Sequence, residues 1–211
     1  MSPPGLRLPC LYPIIDTVLA GNRTHAAIVD LLCRGGATLI QLREKSLPDR
    51  ELMTRAADAL AAARRGGARL IINDRVDLAA LTGADGVHLG HDDLPIGPAR
   101  GLLGPDAIIG CSTHSVEDAV AAGSLPVDYV ALGPVFPTQH ASMKREPLGI
   151  EAVRLAAAAL RKPPVAIGGI DLAKARELLA VGAASVAVIG DLMSCTDIPA
   201  RTAAYLALAP G

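Results

Sequence analysis

Aromatic residues are nearly absent: Phe, Tyr and Trp make up 2% of the sequence, with one Phe (Phe136), three Tyr and no Trp. So few rings leave little to stack on nucleic-acid bases. The scattered Lys and Arg, against a formal net charge of −1, form no basic stripe. A nucleic-acid partner is not expected. Cysteine is scarce as well. Cys10, Cys33, Cys111 and Cys195 form no C-x-x-C pair and have no His cluster beside them. They are expected as reduced, buried thiols rather than disulfide partners or metal ligands. Long apolar runs are missing, because Gly, Pro and charged residues interrupt each one short of membrane-spanning length. Residues 1–9 also lack the apolar core of a signal peptide. The expectation is a cytoplasmic protein with no membrane partner.

What is present is aliphatic. The 211 residues are 51% apolar, dominated by Ala, Val, Leu and Ile. That length suits a single domain over residues 1–211 with its own core, and branched aliphatics suit buried parallel strands. Leu11–Asp16 reads as a first strand. A helix capped by Thr24 follows and stops at Gly35-Gly36. Thr38–Arg43 is a second strand, and Pro48-Asp49 opens a helix that Gly66-Gly67 closes. Leu70–Arg75 and Gly86–Leu94 hold strands three and four, with a short helix between them. Ala107–Ser112, Val127–Gly133, Val165–Ile167 and Ser185–Gly190 complete eight strands, alternating with helical segments. Ser115 and Asp118 have capping-box spacing. Eight strand–helix repeats imply a parallel sheet closed as a single-domain (β/α)8 TIM barrel. An open doubly wound sheet is the alternative, but no G-x-G-x-x-G follows the first strand.

The strand ends carry the chemistry. Strand three runs out into Asn73 and Asp74, and strand four into Asp92 and Asp93. If the strands are parallel neighbours, Asp74 and Asp93 emerge at one rim and make a Mg²⁺ site. The plainer reading of either Asp is a helix N-cap. Arg43 and Lys45, two apart, can share a side and suit a pyrophosphate bridged to Mg²⁺. Gly168-Gly169 and Ile189-Gly190 end strands seven and eight, where barrels bind phosphate through backbone N–H groups. Ser112 and His114 lack a nucleophile-elbow context and read as hydrogen bonders. These ingredients favour positioning two phosphorylated reactants and stabilising a leaving group.

Several motifs occur together in order from Leu11 to Met193: Gln41-Leu42-Arg43-Glu44-Lys45, Ile72-Asn73-Asp74-Arg75, Gly86-Val87-His88-Leu89-Gly90 with Asp93, Ser112-Thr113-His114-Ser115, Gly133-Pro134-Val135-Phe136-Pro137-Thr138 and Ala166-Ile167-Gly168-Gly169-Ile170. The combination resembles the thiamine-phosphate synthase family, within the wider TenI-like superfamily. The resemblance implies an Mg²⁺-dependent transferase. A hydroxymethylpyrimidine diphosphate loses pyrophosphate, and the nitrogen of a thiazole phosphate attacks the resulting pyrimidinyl-methyl cation. It implies that Gln41, Leu42, Arg43, Glu44, Lys45, Asn73 and Ser112 hold the pyrimidine diphosphate, with Arg43, Lys45 and Ser112 catalytic. Asp74 and Asp93 would bind Mg²⁺. Thr138, His140, Gly168, Gly169, Ile189 and Gly190 complete the implied substrate-binding set, with the thiazole phosphate at Thr138 and the two strand-end turns.

The sequence departs from the family pattern in one loop. His140 and Ala141 stand where the family has Thr and Lys, and Gly190 replaces a common Ser. Lys144 and Arg145 are the nearby cations expected to replace the missing Lys. Two rival readings use the same barrel: a TenI-like thiazole tautomerase with His114 as acid or base, and a non-catalytic barrel that binds thiamine precursors. The partners in each are small molecules, and a homo-oligomer stays open.

Overall fold

The computed structural model describes residues 7–16, 19, 21, 23–138 and 145–209. Eight strands lie in the described chain: β1 (Leu11–Asp16), β2 (Leu39–Arg43), β3 (Arg69–Asn73), β4 (Gly86–Leu89), β5 (Ile108–Thr113), β6 (Tyr129–Leu132), β7 (Pro164–Ile167) and β8 (Ser185–Val188). All pair in parallel with their sequence neighbours, and β8 returns to β1, so the sheet is a closed barrel. The expected (β/α)8 fold is what forms. The helices run between strands: α1 (His25–Arg34), α2 (Asp49–Arg65), α3 (Val76–Thr82), α4 (Ile96–Leu103), α5 (Val116–Ala122), α6 (Gly149–Ala159), α7 (Leu172–Ala180), α8 (Gly190–Met193) and α9 (Ile198–Leu206).

Local signals act where the sequence placed them. Thr24 Oγ1 accepts from Ala27 N at 3.2 Å and opens α1, and Ser115 Oγ accepts from Asp118 N at 3.0 Å to open α5. Each satisfies one of the unpaired donors of a helix start. Strand eight is shorter than expected. It ends at Val188, and Ile189 turns to helical angles (φ −113°, ψ −76°) so that Gly190 starts the short helix α8. A continuous apolar run hides that switch, because periodicity cannot separate a buried strand from a buried helix over so few residues.

Strand alternation divides the core in two. Ile40 and Leu42 of β2 face the helices, in a layer with Ile28, Leu32, Ala56 and Leu60. Leu39 faces the lumen with Tyr12, Ile14, Ile71, Ile108, Tyr129, Val165 and Ala187. The lumen floor is therefore packed solid, as in barrels generally. One fit shows how. His88, Gly110 and Tyr129 lie at one level on three adjacent strands. A Cβ on Gly110 would stand 2.0 Å from the Tyr129 ring. The missing side chain lets the phenol cross Gly110 and reach His88.

Candidate active site

The same alternation carries Gln41 and Arg43 up the inner face of β2 to the C-terminal mouth. Arg43 forms an ion pair with Asp16, its register partner at the end of β1. Asp16 is 3% exposed, so the guanidinium is held from within the mouth. Beyond the strand, Lys45 Nζ reaches Asp74 Oδ2 at 2.9 Å. Asp74 is the one non-glycine residue at positive φ (64°) among the described residues. Its N–H donates to His88 O at 2.8 Å, which fastens the end of β3 to β4. Asp tolerates that conformation better than most residues, and unusual backbone angles gather at functional sites.

β3 and β4 are parallel neighbours, and the two carboxylates meet as the sequence suggested. Asp93 Oδ2 accepts from Gly90 N at 2.6 Å. Burial raises the Asp93 carboxyl above the usual carboxylate range; the Asp74 carboxylate beside it adds to this, and the Gly90 amide and Lys45 oppose it. Asp92 is fully exposed and takes no part. Two adjoining carboxylates that resist sharing negative charge could hold a hard cation. The donors are all oxygen, and they number two: no group of three or more His, Cys, Asp or Glu that could hold a metal gathers among the described residues, here or elsewhere. Two carboxylates leave most coordination positions to water and phosphate oxygens, which suits Mg²⁺ and not a closed zinc site.

Other expected residues fall at different distances from this centre. Asn73 is half-buried at the end of β3. Ser112, on the inner face of β5, binds His88 Nε2 through Oγ at 2.8 Å. His114 Nδ1 is 2.7 Å from Gly133 O. Leu42 points to the helices, so only its backbone is available to the mouth. The Glu44 side chain is likewise turned away, with Oε2 3.4 Å from His25 Nε2 of α1 and Oε1 2.6 Å from Ser46 N. Thr138 is half-buried at the edge of the loop after β6. His140, Ala141 and Lys144 lie outside the described residues; Arg145 is exposed.

The mouth above β7 and β8 is built of backbone. Gly168 and Gly169 both have positive φ, 104° and 65°. A Cβ on Gly168 would meet Pro134 at 2.6 Å, and one on Gly169 would meet Pro137 O at 2.4 Å. Val135 N and Phe136 N donate to Ile167 O and Gly168 O, at 2.8 and 3.1 Å. These glycines are thus required by the loop seated on them as well as by the turn. Lys174 lies behind, 2.9 Å from Gly169 O and 5.0 Å from the centre of the Phe136 ring. Next to it, Ile189 and Gly190 open α8 without a side-chain cap, and nothing crowds Gly190.

A family model described as thiamine monophosphate synthase matches residues 11–192. The chain belongs to the thiamine monophosphate synthase family. The match takes in all eight strands and every site residue named above. Among curated relatives, a thiamine-phosphate synthase of Chlorobium luteolum is 48% identical over 84% of each chain. One of Albidiferax ferrireducens is 41% identical over 89% of this chain and 85% of its own. The solved thiamine phosphate pyrophosphorylase of Pyrococcus furiosus superposes with a TM-score of 0.84 at 36% identity, covering 94% of both chains.

Four inward residues escaped sequence reasoning: Tyr12, Asp16, His88 and Tyr129. Asp16 pairs in register with Arg43 and His88 with Asn73, Tyr12 lies two places before Ile14, the register partner of Gln41, and Tyr129 pairs with Gly110, two places before Ser112; that was the signal available. Counting by twos back from Ser112 also finds Gly110, whose lack of a side chain marks where a large neighbour must enter.

Proposed function

We propose that this member of the thiamine monophosphate synthase family joins a hydroxymethylpyrimidine diphosphate to a thiazole phosphate, giving thiamine phosphate and pyrophosphate, with Mg²⁺ held by Asp74 and Asp93. The observation that carries the proposal is the meeting of Lys45, Asp74 and Asp93 at the ends of β2–β4, with Arg43 paired to Asp16 on the same rim. Bound there, Mg²⁺ would supply positive charge to the diphosphate. Arg43, steadied by Asp16, and Lys45 add two cations on the same side, where charge grows as the C–O bond breaks. The bonding electron pair leaves with pyrophosphate. The thiazole nitrogen then gives its lone pair to the methylene carbon. That nitrogen carries no proton, so no general base is needed.

Gln41, Asn73 and Ser112 would hold the pyrimidine, and the Gly168–Gly169 turn with Ile189-Gly190 would offer backbone N–H groups to the thiazole phosphate. Thr138 follows Pro137, which packs on Gly169, and with His140 is proposed to complete that site. The protein is proposed to act in the cytoplasm, a reading supported by four free thiols. No helix among the described residues is long and apolar enough to cross a membrane.

The test is an assay with both precursors. Thiamine phosphate formed with Mg²⁺ and abolished by EDTA supports the proposal. Isomerisation of the thiazole alone would assign the tautomerase instead. Binding of both precursors without turnover would leave a binding module.

A further inference from the structure

A continuous line of polar side chains crosses the apolar lumen. Gln41 Nε2 donates to Tyr12 Oη at 3.1 Å. Tyr12 and Tyr129 hydroxyls are 2.8 Å apart. Tyr129 Oη is 2.9 Å from His88 Nδ1, and His88 Nε2 is 2.8 Å from Ser112 Oγ. Gln41, Tyr12, Tyr129 and His88 are all buried, the last at 7% exposure. The line begins and ends at two residues proposed above to hold the pyrimidine, on strands at different sides of the mouth.

Each link constrains the next. A phenol has one proton to give, and a neutral imidazole has one donor nitrogen and one acceptor. Tyr12 accepts from Gln41, so its own proton goes to Tyr129. Tyr129 must then donate to His88 Nδ1. That places the imidazole proton on Nε2, which donates to Ser112. The Ser112 proton is left for whatever enters the mouth. Were Tyr129 to donate to Tyr12 instead, the buried Tyr12 proton would have no acceptor among the described residues, a costly arrangement. Burial also pushes both phenols above their usual range, so each keeps its proton.

We propose that Gln41, Tyr12, Tyr129, His88 and Ser112 form one polarised hydrogen-bond chain that makes Ser112 a proton donor to the ligand, with His88 the positioning residue that fixes this role. Gln41, having given one N–H to Tyr12, keeps its second N–H and its carbonyl oxygen, and the oxygen can take a ligand donor. The two ends therefore read opposite groups: an N–H donor at Gln41 and a ring-nitrogen acceptor at Ser112. An aminopyrimidine offers that pair. A pyrimidinone, with a carbonyl and a ring N–H, offers the reverse. Which ligand is read rests on the function proposed above; the polarity of the chain does not.

The experiment is ¹⁵N NMR of the histidine-labelled full chain, with the His88 signals assigned by their loss in His88→Asn. Native His88 is expected as the Nε2–H tautomer. Gln41→Glu presents an acceptor-only carboxylate to Tyr12, which reverses every link and should move His88 to the Nδ1–H form. Tyr12→Phe cuts the chain; Tyr129 then has no acceptor but His88, so His88 should stay Nε2–H, and adding Gln41→Glu should not change it. In turnover, Tyr12→Phe lies three hydrogen bonds from Ser112. It should raise KM for the pyrimidine diphosphate about fivefold, the scale of weakening one hydrogen bond, with KM for the thiazole phosphate unchanged. An Nδ1–H native His88, or an unchanged tautomer in folded Gln41→Glu, overturns the proposal. If Gln41→Glu does not fold, an Nδ1–H His88 in Tyr12→Phe overturns it equally. The tautomer measurements need no ligand, so they stand even if the assay with both precursors fails.

Discussion

The two halves of the mouth are built by different means. Over β2–β4 the lining is side-chain charge: Arg43 on Asp16, Lys45 on Asp74, and Asp93 against Asp74. Over β7 and β8 it is peptide backbone turned by Gly168, Gly169 and Gly190, with the nearest cation, Lys174, behind the turn on Gly169 O. Side-chain charge can follow a leaving group whose charge grows during reaction. Fixed amides suit a phosphate whose charge stays constant. The contrast predicts that the charged half responds to charge-changing substitutions and the backbone half to single methyl groups.

The largest effect is expected at the carboxylates. Asp93→Asn or Asp74→Asn should lower kcat by roughly 10²-fold, the scale of losing one preorganised electrostatic stabiliser. Both should blunt the response to Mg²⁺ titration after EDTA treatment; unchanged metal dependence in both variants would remove them from the metal site. Across the mouth, Gly169→Ala puts a methyl 2.4 Å from Pro137 O at a φ of 65°. It should raise KM for the thiazole phosphate about tenfold, or ~1.4 kcal/mol, and leave KM for the pyrimidine diphosphate alone. Equal changes in both constants would erase the division between the halves.

A smaller effect is expected where the family Lys is replaced by Ala141. One charge pair at about 4 Å and an effective dielectric near 20 is worth on the order of 4 kcal/mol before desolvation. If Lys144 and Arg145 together recover a third of that, the double Lys144→Ala/Arg145→Ala variant should lose about tenfold in kcat. A double variant as fast as the parent would show that neither residue replaces it. A sharp gain from Ala141→Lys would show that the charged half lacks a cation.

The charged half rests on legible sequence for a physical reason. Carboxylates and cations cannot continue a buried strand unpaired, so they mark its end, and parallel pairing of β3 with β4 brings those ends together. The lumen was less legible. Tyr12 and Tyr129 read as ordinary apolar strand residues until the register of β4, β5 and β6 puts His88, Gly110 and Tyr129 at one level. Asp16 was visible as a strand end, but its pairing with Arg43 depends on closure of the ring. The turn into α8 left no mark, since Ile189 suits strand and helix alike.

The smallest effect separates the charged half from its support. His25 sits behind Glu44, and burial lowers its imidazole, with the Glu44 carboxylate opposing. His88 is depressed in the same way, to about 4. Both are neutral in the fold and protonate more readily when unfolded. Their contribution is complete above the unfolded value near 6.5 and is lost as pH falls toward the folded one. Thermal unfolding should show Tm falling from pH 7 to 4, and less steeply in His25→Gln. The same slope in parent and variant would exclude His25 from this effect.

The solid floor of the lumen has a consequence for traffic. With Tyr12, Ile71, Ile108 and Tyr129 filling the barrel below Ser112, nothing passes through from the far end. Whatever occupies the bottom of the cup, seated on Gln41 and Ser112, enters and leaves by the one door.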